Sequence, residues 1–115
     1  MANTTRRPKR GILSVLFDGA TDWDLPTDML EFSAWQQMGM AVKSIQVIGS
    51  ATDDEITVRT VDPEGNADTS SPIMLKKIFA DKYDDFVKYF DGSGRFPAVD
   101  ATEVSANVEM VIEFE

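Results

Sequence analysis

The stretch DGATDWD, Asp18 to Asp24, sets three carboxylates close together, and the first chemistry such a cluster suggests is calcium binding. A loop of the EF-hand type needs oxygen ligands at its first, third and fifth positions, glycine at the sixth and a bidentate Glu at the twelfth. Counted from Asp18 the twelfth residue is Met29; counted from Asp22 the fifth and sixth are Pro26 and Thr27. The spacing points instead to aspartates that form turns and flank a helix start. Asp53-Asp54 and Asp84-Asp85 raise acid–base catalysis by paired carboxylates. Neighbouring side chains on a strand or helix diverge, so neither pair makes a site on its own.

Other catalytic routes are closed by composition. The chain has no cysteine and no histidine, which removes thiolate nucleophiles, disulfides, thiolate zinc sites and the ordinary proton-transfer base. Ser70 and Ser71 therefore have no imidazole to activate them. DGSGRF, with Gly92 and Gly94 around Ser93, looks like a phosphate loop, but a phosphate cradle lies between a strand and a helix N-terminus. Here the order is an expected helix and then a strand, so a glycine helix cap is the plain reading. No catalytic residue, metal or cofactor is expected. The outlying class is a small carboxylate-dependent enzyme, with Asp18, Asp22 and Asp24 as the residues to test. Trp23, between two of them, either plugs the end of a sheet or meets a partner. Arg95 and Phe96, in the long 91–103 segment, are further contact candidates.

The elements that must hold these residues follow from apolar periodicity. GILSVLF (11–17) is a short apolar run closed by Asp-Gly and reads as a strand. Thr27 caps an expected helix, DMLEFSAWQQM (28–38), stopped by Gly39. VKSIQVIG and EITVRTV read as the next two strands, joined as a hairpin through SATDD. Ser71-Pro72 is a strong helix start. From Pro72 to about Phe90, Leu75, Phe79, Tyr83, Phe86 and Phe90 recur at steps of three and four, as on the buried face of a helix. Residues 104–115 alternate cleanly, Val104, Ala106, Val108, Met110, Ile112 and Phe114 on one face, and read as a final strand.

The resulting order is β-α-β-β-α-β. The expected fold class is α+β, a ferredoxin-like two-layer sandwich with a four-stranded antiparallel sheet and both helices on one face. The order resembles that of RNA-recognition-motif domains at the level of fold. Those domains stack bases on aromatic residues of the central strands; here the first of these strands offers Phe17 alone and EITVRTV none.

At 115 residues the chain has room for one core. Residues 1–10 form a basic N-terminal arm and 11–115 a single domain. Of the 11 lysines and arginines, Arg6, Arg7, Lys9 and Arg10 lie in the arm; the rest of the chain keeps seven against all 20 acids, a formal charge of −13. Such a body repels phosphate backbones, and only the arm can neutralise them. On the expected sheet, Ile12, Leu16, Ile48, Arg59 and Val61 fall on the face away from the helices. Exposed aliphatic groups side by side there imply cover by another protein chain. The expected function is a non-catalytic assembly module, a homo-oligomer whose arm docks on a neighbouring subunit, as in virion-like repetitive particles. The alternative is a nucleic-acid-binding protein that uses the arm. No signal peptide or membrane-spanning run is seen, so a cytoplasmic or virion location is expected and a membrane partner is not.

Overall fold

Leu13, Val15 and Phe17 are almost fully buried, whereas Ile12 and Ser14 are half-buried and Leu16 is exposed. This alternation makes Ile12–Leu16 a strand with one inward face. In the computed structural model the described residues are 3–9, 11–24, 42–61, 72–90 and 96–114, with 6–9, 61 and 96 described by backbone alone. Their elements are β1 (Thr4–Lys9), β2 (Ile12–Leu16), β3 (Trp23–Asp24), β4 (Val42–Ile48), β5 (Glu55–Val61), β6 (Ile73–Ile78), β7 (Asp85–Tyr89), β8 (Phe96–Val99), a 3-10 turn (Ala101–Glu103) and β9 (Glu109–Phe114).

Two antiparallel sheets enclose the core. One has five strands in the order β1-β2-β9-β4-β7, the other four in the order β3-β8-β5-β6. Setting β1 aside, the first strand pairs with the last (β2·β9), the second with the seventh (β3·β8), the third with the sixth (β4·β7) and the fourth with the fifth (β5·β6). That is one long hairpin rolled upon itself, the connectivity of a jelly roll. Leu13, Val15, Ile45, Val47, Met110 and Ile112 of the larger sheet meet Trp23, Ile56, Val58, Leu75 and Val99 of the smaller.

The chain crosses between sheets at two matched corners. The pairing of Ile48 with Asp85 and of Glu55 with Ile78 continues through both without slipping. Gly49 N–H donates to Asp84 O (2.9 Å), and Phe79 N–H donates to Asp54 O (2.8 Å). Tyr83 N–H then reaches Gly49 O and Asp53 N–H reaches Phe79 O, so the two corners are related by a local two-fold exchange. Asp53 and Tyr83 hold equivalent left-handed conformations, φ 66° and 62°. Gly49 is required by contact: a Cβ there would lie 2.5 Å from the buried Phe79 ring.

The α+β, ferredoxin-like expectation is overturned. The core is closed by a second sheet, not by helices packed on one face of a single sheet. The segment expected to be the second helix, 72–90, is β6, a corner and β7. Its steps of three and four suit a helix face, yet Ile73, Phe86, Val87 and Tyr89 are β-branched or aromatic, and strand pairing to β4 and β5 satisfies the backbone. The expected hairpin between the second and third strands is also corrected. β4 and β5 lie in different sheets, and the SATDD segment is the crossing. The final strand is shorter than expected, starting at Glu109, because Asn107 turns the chain at φ 69°. The 91–103 loop contains β8 and the 3-10 turn. The expected helix over 28–38 lies outside the described residues.

Candidate interaction surface

Most of the carboxylates singled out for chemistry are committed to local structure. Asp18 Oδ1 accepts from the amides of Ala20 (2.8 Å) and Thr21 (3.0 Å), and Oδ2 accepts from the Thr21 hydroxyl (2.8 Å). The Ala20 amide, then the Thr21 hydroxyl, hold its carboxyl below the usual aspartate range. Asp22 accepts from the Ala101 amide at 2.7 Å, which ties this loop to the 3-10 turn. Asp24 is buried on β3, opposite Ala98. At the corners, Asp54 Oδ2 accepts from Ser50 N, Ser50 Oγ and Ala51 N. Asp85 accepts from the Gln46 amide group, and Asp84 sits 3.9 Å from Lys77. Among the described residues no group of three or more His, Cys, Asp or Glu converges as metal ligands.

The basic arm, where described, lies against its own body. β1 pairs antiparallel with β2, Thr5 opposite Val15, Arg6 opposite Ser14 and Lys9 opposite Ile12, with an irregularity between Arg6 and Lys9. Arg7 lies within that irregular stretch. Asn3 anchors the start: its Oδ1 accepts from the Asp18 amide and its Nδ2 donates to Thr21 O, both at 3.0 Å. Arg10 and Arg95 fall outside the described residues.

The five residues expected on one open face are divided between the sheets. Ile12, Leu16 and Ile48 share the outward face of the five-stranded sheet, where Leu16 and Ile48 flank Glu109 in one row. Arg59 is on β5 of the other sheet, held to Glu103 by two bonds, Nε to Oε1 at 2.7 Å and an Nη to Oε2 at 2.8 Å. Val61 ends β5, paired by backbone with Phe96. The outward side of that sheet is not bare, since Thr57, Asp24 and Ala98 are buried on it. Trp23 is 1% exposed, packed in the core opposite Val99, and its indole N–H has no acceptor among the described residues.

A different surface stands out. Ile73, Ile78, Tyr83, Phe86, Val87 and Tyr89 are 37–74% exposed, and all belong to the β6–corner–β7 unit. Among the described residues only one other large apolar side chain, Leu16, is exposed. Four of the seven cations outside the arm lie in the same unit: Lys76, Lys77, Lys82 and Lys88. Lys77 sits 5.7 Å from the Phe86 ring centre, Lys82 5.0 Å from Tyr83 and Lys88 5.5 Å from Phe90. Because β6 ends one sheet and β7 ends the other, the unit forms one flank of the sandwich. Lys88 Nζ donates to Met74 O at 2.8 Å and links the two edges. A helix reading of 72–90 hides this flank by sending half its apolar residues to a core. The signal that reveals it is the shared turn pattern of ATDD (51–54) and DKYD (81–84), each ending in an aspartate just before a strand.

No family model, curated protein or solved structure matches the chain. Among the described residues no helix is long and apolar enough to cross a membrane.

Proposed function

We propose that this chain is a non-catalytic assembly module that associates with copies of itself through the β6–β7 flank and the adjoining outward face of the five-stranded sheet. The observation that carries this reading is the concentration of six exposed large apolar side chains on one unit. Soluble surfaces scatter such groups singly, so six of them on one edge unit, set among four lysines, mark a contact. The patch continues onto the sheet face: Val87 lies in a row with Gln46, Val111 and Ser14, and Tyr89 in a row with Ser44, Glu113 and Ile12. The lysines of the flank suit an acidic neighbour, which a copy of this body supplies. Jelly rolls build capsid shells as well as lectin and cupin domains, so the architecture permits a particle subunit without deciding for one. Native mass by light scattering over a range of concentrations is the test. An oligomer is expected; a monomer throughout overturns the reading.

A second reading has its own observation. The basic segment forms a sheet-margin strand, β1, carrying Arg6, Arg7 and Lys9, and such a strip suits a phosphate backbone. Binding of single-stranded or duplex DNA that weakens steeply with salt, and is lost when these three become alanine, would select it.

A further inference from the structure

Four strands bound the two sheets, β1 and β7 in one, β3 and β6 in the other. Three of them are blunted against pairing with another chain. β1 contains Pro8 and a register irregularity. β3 is two residues long. β6 is bulged at Met74, because Val58 opposes Leu75 while Arg59 opposes Ile73. Proline, short length and bulges are the usual protections of a sheet edge. β7 has none of these three: its five residues hold an unbroken register against β4 and all are exposed, and its one lysine, Lys88, is engaged on Met74 O.

The hydrogen bonds on its paired side define the free side. Phe90 N–H donates to Lys43 O and Asp84 O accepts from Gly49 N–H, each at 2.9 Å. By alternation the amides and carbonyls of Phe86 and Lys88 also turn toward β4, and those of Asp85, Val87 and Tyr89 turn outward. The Asp85 amide is already held by Asp84 Oδ1 at 3.0 Å. Val87 and Tyr89 thus offer the free donors, and all three residues offer carbonyls.

We propose that β7 pairs antiparallel with β7 of a second copy across a two-fold axis at Val87, joining the two five-stranded sheets into one continuous sheet. This rests on the self-association reading above and names its contact. Two requirements fix the register. A continuous sheet places like faces opposite each other, and ladder bonds form only between the outward-turned residues. Centring on Val87 meets both. Val87 then opposes Val87 of the second copy and exchanges two N–H···O bonds with it. Tyr89 opposes Asp85, its amide donating to the Asp85 carbonyl, with a phenol hydroxyl beside a carboxylate on the outward face. On the inward face Phe86 opposes Lys88, a cation–aromatic pair of the kind already made within the flank. No two like charges meet across the axis. The strand is its own complement, which is why the occupant is a second copy.

Sedimentation equilibrium of the full chain and three variants tests this. Val87→Pro removes an outward N–H and leaves the bonds to β4 intact. Val87→Lys sets two ammonium groups face to face at the axis. Ala20→Lys adds the same charge on the exposed β2–β3 loop, away from the flank and from that face. The wild type is expected as an even number of chains, with association weakened at least tenfold in both Val87 variants and unchanged in Ala20→Lys. Circular dichroism checks folding, and should Val87→Pro fail to fold, Val87→Lys decides. A wild-type oligomer matched in affinity by Val87→Lys overturns the β7 contact and leaves self-association standing. A wild type that stays monomeric overturns both.

Discussion

Asp18 shows what the aspartates of the first loop do. Its carboxylate gathers two amides and a hydroxyl, and those donors favour the charged form. With its folded pKa depressed, its stabilisation is fully present above the unfolded value and is lost as pH falls through the folded one. Urea unfolding of Asp18→Asn should therefore find it weaker than wild type at neutral pH, with the gap closing under acid. A gap that stays constant would show that the charge is irrelevant. Gly19, next along, has φ 77°, and a Cβ there would sit 2.8 Å from the Ala106 backbone nitrogen. Gly19→Ala is expected to cost more than about 1 kcal/mol, read as a lowered unfolding midpoint. Both predictions belong to single residues, because a turn that joins β2 to β3 is built from few bonds. Trp23 carries the opposite lesson. In one dimension a tryptophan between two aspartates suits either the end of a sheet or a partner; in the structure it is buried in the core.

At the level of elements, the corners decide the architecture. Asp54 ties the first corner through Ser50 and Ala51, and Phe79 plugs it where Gly49 leaves space. Phe79→Ala opens a cavity at the point where two sheets meet, with an expected loss of about 3–5 kcal/mol in chemical denaturation; a loss under 1 kcal/mol would deny the ring this role. The strands with strict alternation were legible from sequence: Leu13 and Val15 of β2, with Phe17 just beyond it, and Met110 and Ile112 of β9 form the observed core face. Residues 72–90 were not legible. Their apolar positions satisfy a helical period and an interrupted strand period alike, and only pairing with β4 and β5, distant in sequence, selects the strand. Leucine, phenylalanine and lysine at such spacing carry no local veto against a helix. The same misreading concealed the exposed flank, since a helix would have buried Phe86 rather than left it at an edge. Ile12, Leu16 and Ile48 share a face of one sheet while Arg59 lies in the other, because nothing local in the sequence says that β5 belongs to another sheet.

At the scale of the whole molecule, the basic segment of this acidic chain has a definite place in the sheet. Residues 4–9 close one margin of the five-stranded sheet, and β7, with an unbroken register, closes the other. The proposed association uses the second margin and closes it about a two-fold axis. Residue-resolved amide hydrogen exchange over 85–90, at low and high protein concentration, tests this most directly. The account predicts protection of Phe86, Lys88 and Phe90 at every concentration, and protection of Val87 and Tyr89 only where the protein associates. Uniform protection of all these amides in dilute solution would contradict the strand. Rapid exchange at Val87 and Tyr89 in a concentrated, oligomeric sample would contradict the interface.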